Sequence, residues 1–117
     1  MRTLKIGIMP RQQYQQRVLS IARGAHKPAS SEPRVWFESM HSLGQVLSDD
    51  NRELLRLIEE HHPGSVAELA ELSGRAPGNL SRTLKTLEKY GIVKMQAVEG
   101  TRKRMPVACA TRFQIFA

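Results

Sequence analysis

The chain has 117 residues, 40% hydrophobic and 25% charged, a balance that suits one compact domain with an appended element and excludes wholesale disorder. Eighteen Lys and Arg against eleven Asp and Glu leave a formal charge of +7, and so basic a small chain calls for a polyanionic partner. A single cysteine, Cys109, excludes an intramolecular disulfide and a cysteine-based zinc site, and no apolar run is long enough to span a bilayer.

The start, Met1-Arg2-Thr3-Leu4, has no long apolar leader, so a cytoplasmic location is expected. Thr3 to Met9 alternates, with Leu4, Ile6 and Ile8 on one face and Thr3, Lys5 and Gly7 on the other, and Pro10 ends this strand. Arg11 to Ala25 is a helix by spacing. Tyr14, Val18, Ile21, Ala22 and Ala25 form one apolar stripe, and Gly24 lies near its end. Lys27-Pro28-Ala29-Ser30-Ser31-Glu32-Pro33 has loop composition, and Arg34 to Glu38 reads as a short strand with Val35 and Phe37 opposite Trp36. A strand–helix–strand unit over 1–39 is too small to bury a core alone. It is expected to pack on the rest of the chain or on a second copy, and a homodimer is the preferred expectation.

Ser39 can cap a short helix through Leu47, and Ser48 or Asp49 a longer one from Asp50 to His61, with acids at its start where the helix dipole favours them. Leu54, Leu57 and Ile58 form its expected buried stripe, with Leu55 flanking, and Pro63-Gly64 stops it. His61 and His62 are neighbours that point apart on a helix and lack carboxylate or cysteine partners at ligand spacing, so no metal site is expected. Cys109, among Val107, Ala108 and Ala110, reads as a small core residue.

Ser65-Val66-Ala67-Glu68 is a capping box that opens a short helix with Val66, Leu69, Ala70 and Leu72 on its apolar side, ending at Ser73-Gly74. A new helix starts near Pro77 and stops at Gly91, so the two make a helix-turn-helix pattern. On the second helix Leu80, Leu84 and Leu87 share one side, and Gly78, Arg82, Lys85 and Lys89 project from the other, with Arg75 and Thr86 flanking. Asn79 and Ser81, early in the helix, are counted with the same surface. Arg and Lys reach phosphates or guanine edges, Thr can reach either, and Gly78 allows close approach of the backbone. Ile92 to Val98 and Met105 to Ala110 are strand candidates. Between them Glu99-Gly100-Thr101-Arg102-Lys103-Arg104 makes a hairpin tip with three consecutive cations, suited to the phosphate backbone or the minor groove. Lys and Arg are unevenly placed: seven against two acids in 1–39, two against five in 40–62 and nine against four in 63–117, as a specific contact requires.

Asn79-Leu80-Ser81-Arg82-Thr83-Leu84-Lys85-Thr86-Leu87-Glu88-Lys89-Tyr90-Gly91-Ile92-Val93 resembles the recognition helix and following strand of winged-helix regulators of the MarR and ArsR type, a resemblance that extends over about Ser48 to Ala110. Thr3-Leu4-Lys5-Ile6-Gly7-Ile8-Met9-Pro10 is also similar to the opening of a group of short archaeal and bacterial transcriptional regulators. The resemblance implies that Arg82, Lys85 and Thr86 face DNA and that Arg102, Lys103 and Arg104 form the wing. The chain has neither the long flanking dimerisation helices of MarR proteins nor the clustered Cys/His sensor of many ArsR proteins.

The expected fold is α+β, a winged helix-turn-helix domain over 40–117 preceded by the strand–helix–strand extension over 1–39. The expected function is a sequence-specific DNA-binding transcriptional regulator, a repressor, that takes double-stranded DNA as its partner and uses no cofactor. No Ser/His/Asp or Cys/His set and no phosphate-cradling glycine loop points to an enzyme. The competing expectation is an adaptor or the antitoxin of a toxin–antitoxin pair, in which 1–39 would hold the partner protein.

Overall fold

A computed structural model of the chain describes residues 2–117. Over these residues five helices and five strands give a mixed fold: β1 (Thr3–Ile8), α1 (Arg11–Ala22), β2 (Val35–Phe37), α2 (Met40–Val46), α3 (Asp49–His61), α4 (Val66–Ser73), α5 (Pro77–Lys89), β3 (Val93–Ala97), β4 (Arg104–Ala108) and β5 (Arg112–Phe116).

The strands form two separate sheets. One is three-stranded and parallel in the order β2-β1-β5, and the other is the antiparallel pair β3-β4. β5 is an element the sequence reading did not anticipate. Its alternation of Arg112 and Gln114 with Phe113 and Ile115 is a strand signal, but a short one that follows the hairpin closely. Its register with β1, Thr3 with Arg112 through Gly7 with Phe116, ties the two ends of the chain together. The strand–helix–strand unit over 1–39 is therefore completed by a strand from the far end of the chain. It also shares its core with the helices, because Ile6 and Phe37 belong to the same buried cluster as Leu54, Leu69, Leu84 and Ile92.

That core is aliphatic, as an aromatic content of 5% requires, with one exception. Phe37, at the end of β2, stacks on Tyr90 at the end of α5, with centroids 4.4 Å apart and planes 20° from parallel. On α3 the buried residues are Leu54, Leu55 and Ile58, while Leu57 is half-buried. This exchanges the expected places of Leu55 and Leu57, because α3 packs against α4 on one side and β4 on another. Likewise Leu72 on α4 is exposed.

Side-chain caps set the helix starts. Ser39 accepts from Ser42 N, Ser48 from Asn51 N and Ser65 from Glu68 N, each 3.1–3.2 Å away. The Glu68 carboxylate reaches back one residue further than an ideal capping box, to Gly64 N at 2.8 Å. α3 ends at His62 in the left-handed conformation (φ 46°), followed by buried Pro63.

α1 departs most from expectation. It buries no residue, and its stripe of Tyr14, Val18 and Ile21 is exposed. A polar latch holds it instead. The Arg17 guanidinium lies 5.0 Å from the centroid of the Trp36 ring, pairs with Glu32 and sits 3.1 Å from His26 Nε2. The hydrogen bond from Arg17 holds the Glu32 carboxyl below the usual carboxylate range. The latch is thus complete above that range and is lost as pH falls through the lowered value.

Under the latch, Trp36 lies flat across Gly7 on the next strand, where a Cβ would overlap the ring at Cζ3 and Cε3. Gly7 is required there by space. Gly7→Ala should therefore lever the ring away and cost about 1–3 kcal/mol, as overpacking does. Chemical denaturation measures the loss, and Trp36, the single tryptophan, reports the displaced ring through a shifted emission maximum. An unchanged spectrum and midpoint would show that the ring has room to spare.

Candidate nucleic-acid interface

α5 is positioned by the side it buries. Leu80, Leu84 and Leu87 are almost fully enclosed, and each contributes about 1.5–3 kcal/mol by leaving water. The same helix begins at Pro77, whose missing N–H is harmless in a first turn, and ends at Gly91 with φ 74°. A short turn with Gly74 at φ 72° joins it to α4.

With the leucines inward, the helical repeat turns Gly78, Asn79, Ser81, Arg82, Lys85, Thr86 and Lys89 outward, and all seven are exposed. They are not equally free. Thr86 Oγ1 donates to the Arg82 carbonyl of its own helix at 3.2 Å, which leaves its hydroxyl only as an acceptor. Lys89 Nζ lies 5.7 Å from the centroid of the Tyr90 ring. Arg82 and Lys85, by contrast, have no side-chain hydrogen bond or ion pair among the described residues.

Arg75 is engaged differently. Its guanidinium donates to Asn51 Oδ1 at 3.1 Å and to the Asp50 carbonyl at 2.8 Å. Asn51 in turn donates to the Val46 carbonyl at 3.0 Å. Arg75, placed on the contact surface from the sequence, is thus half-buried and pins the α4–α5 turn to the start of α3. The signal that could have revealed this is the polar run Asp49-Asp50-Asn51 on a neighbouring helix start, a set of acceptors with no partner nearby in sequence.

The hairpin β3-β4 follows α5 directly and pairs from Val93 with Ala108 to Ala97 with Arg104. Arg104 is therefore the first residue of β4 and not part of the turn, and it donates to the Met95 carbonyl at 3.3 Å. The tip is shaped by Gly100 at φ 77° and by Thr101, whose hydroxyl donates to the Val98 carbonyl at 2.9 Å and accepts from Lys103 N at 3.1 Å. Arg102 and Lys103 project from this tip, exposed and without side-chain partners among the described residues.

Between α5 and the tip runs an open cleft of about 410 Å³. Ser81 and Lys85 line one wall, Arg102, Lys103 and Arg104 the other, and Ser65 to Ala67 at the start of α4 close one end. Helix and hairpin cations that are seventeen or more residues apart in sequence thus face one concavity, in which Glu88 is the one acidic side chain. The start of α4 joins this wall although the sequence marked Ser65 only as a cap. Its dipole adds positive potential to the lysine and arginines. Among the described residues no group of three His, Cys, Asp or Glu is placed to hold a metal ion, and no helix is long and apolar enough to cross a membrane.

No curated protein matches the chain. The family described as HVO_A0114 matches residues 46–115, from the end of α2 through nearly all of β5. That match includes α5, the hairpin and every residue of the cleft, and since it covers more than half of the chain, the protein belongs to the HVO_A0114 family.

Proposed function

We propose that this protein is a sequence-specific DNA-binding regulator of the winged helix-turn-helix type that acts by occupying its site, as a repressor, without catalysing a reaction. On this reading α4, the Gly74 turn and α5 are the helix-turn-helix, and the β3-β4 hairpin is the wing. The observation that carries it is that Lys85, on the outward cationic face of α5, shares one cleft with the cationic hairpin tip, while the opposite face of α5 is locked into the core.

Size and charge support a division of labour. A helix about 10–12 Å across enters a major groove of similar width. Arg82 and Lys85, central on the exposed face and free of partners, are then the side chains that reach base edges. Arg102 and Lys103, on a tip that extends beyond the core, take phosphates or the minor groove. Arg75 stays where it is and orients the helix from behind.

Selection from a random duplex library, followed by polarisation titrations at two salt concentrations, tests the reading. The chain should enrich a sequence and bind it more tightly than random duplex. Failure to bind any duplex at low salt would overturn it. Arg82→Ala should weaken the selected site by about 1–3 kcal/mol while leaving random duplex nearly unchanged. Neutralising Arg102, Lys103 and Arg104 together should weaken all duplexes and flatten the dependence on salt, by roughly 0.9 per lost phosphate contact. If both variants bind like the wild type, the surface is wrongly assigned.

Arg75→Ala and Asn51→Ala should behave alike. Each removes the Arg75–Asn51 bond, together with the Arg75 bond to the Asp50 carbonyl in the first variant and the Asn51 bond to the Val46 carbonyl in the second. Each lowers stability by about 1 kcal/mol and weakens specific binding without changing the salt slope. A slope reduced in Arg75→Ala alone would make Arg75 a phosphate contact instead.

A further inference from the structure

The β2-β1-β5 sheet has two free edges, and they differ. The β2 edge is three residues long and follows directly on Pro33-Arg34, a short edge of the kind that proteins use to discourage pairing. The β5 edge is five residues long and contains no Pro, Gly, Lys or acid. It ends in Ile115 and Phe116, 45% and 41% exposed. Ile115 is in register with Ile6, which is wholly buried on the same face, yet it stays nearly half exposed: α2 packs on β2, and β1 is the main neighbour of β5. The molecule is also elongated. Its longest extent is 47 Å and its radius of gyration 16.0 Å, against a radius of ~13 Å expected for a compact chain of this length.

We propose that β5 pairs antiparallel with β5 of a second copy of this chain, joining two three-stranded sheets into one of six strands. The strand is complementary to itself. Full overlap about a two-fold axis sets Gln114 opposite Gln114, Arg112 opposite Phe116 and Phe113 opposite Ile115. Arg112, the only charge on the strand, thus meets an aromatic ring and never its own copy. Phe113 with Ile115 is an aromatic and β-branched pair of the kind that stabilises sheets, and two glutamines can exchange amide hydrogen bonds.

The axis stands perpendicular to the sheet, so equivalent faces of the two copies become continuous. α1 lies over the face that carries Trp36, since Arg17 covers Trp36 and Trp36 covers Gly7. The exposed side chains of α1 therefore come to one side of the joined sheet. Phe116, in register with Gly7, lies on this side too, and Ile115, in register with Ile6, on the other. Tyr14, Val18, Leu19, Ile21 and Phe116 are each exposed by roughly two-fifths to one-half. Together they offer on the order of 400 Å² per copy, at about 200 Å² for a whole large side chain. The strand backbone adds to this, toward the ~800 Å² per partner of a stable interface.

The inference stands apart from DNA binding, and its test reads mass. Light scattering on the full chain should give the mass of two chains. Ile115→Lys/Phe116→Lys, which places charges on the free edge, should give one chain with an unchanged far-UV spectrum. In a Cys109→Ala background, Gln114→Cys should form a covalent dimer on oxidation, and Lys94→Cys on the exposed side of β3 should not. If the double lysine variant does not fold, the cross-link alone decides. A single-chain mass for the wild type, an assembly larger than two, a two-chain mass retained by the folded lysine variant, or no cross-link through residue 114 each overturns the proposal.

Discussion

Everything in this molecule depends on β1 being the middle strand of a parallel sheet. Its neighbours both come from later in the sequence but from far apart: β2 from about thirty residues on, β5 from the last residues described. A strand–helix–strand unit of this size cannot bury a core. With β5 in place, and with Ile6 and Phe37 facing the helices, the sheet shares the apolar core built around α3, α4 and α5. The chain folds as a closed circuit, in which the segment that precedes the helices also holds the segment that follows the hairpin.

That circuit is what aims the cationic surface. α5 is seated by Leu80, Leu84 and Leu87, its far end is stacked through Tyr90 on Phe37 of β2, and its near end is pinned through Arg75 to Asn51 and Asp50. Three fixings of different chemistry leave the outward face little freedom to roll. On the proposed function, rigid presentation of this kind would limit the ordering cost of binding a rigid duplex. The hairpin is set on the same base, since Cys109 N donates to the Ile92 carbonyl at 2.9 Å at the root of the two strands.

α1 is held by a contrasting principle. Its apolar stripe finds no place in the core, and the helix is latched through Arg17, Trp36 and Glu32 over a glycine that exists to make room for the ring. An apolar stripe left in water is the kind of surface that the proposed pairing of two copies would use. Pairing of the β5 edges would place two such helices on one side of a common sheet and two copies of α5 in a fixed relation. On the proposed function, such symmetry would suit double-stranded DNA with two half-sites.

Local chemistry was legible in the sequence. Serine caps, Pro77 at a helix start, the glycines that end α4 and α5 and shape the hairpin tip, the leucine spacing on α5 and the cations opposite it all act within one or two turns of chain, so residues near in sequence suffice to reveal them. Contacts between distant segments were not legible. The pairing of β5 with β1, the exchange of Leu55 for Leu57 in the core, the exposure of the α1 stripe and the capture of Arg75 by Asn51 each depend on which surface another element presents. Periodicity shows that a helix has an apolar side, but not whether anything will cover it. The sequence by itself determined every element but β5, and the cationic face of α5. Only the tertiary structure decided that one arginine of that surface is a tie, that α1 stays uncovered, and that the chain's two ends meet, because a strand pairs with whatever edge the rest of the fold leaves open.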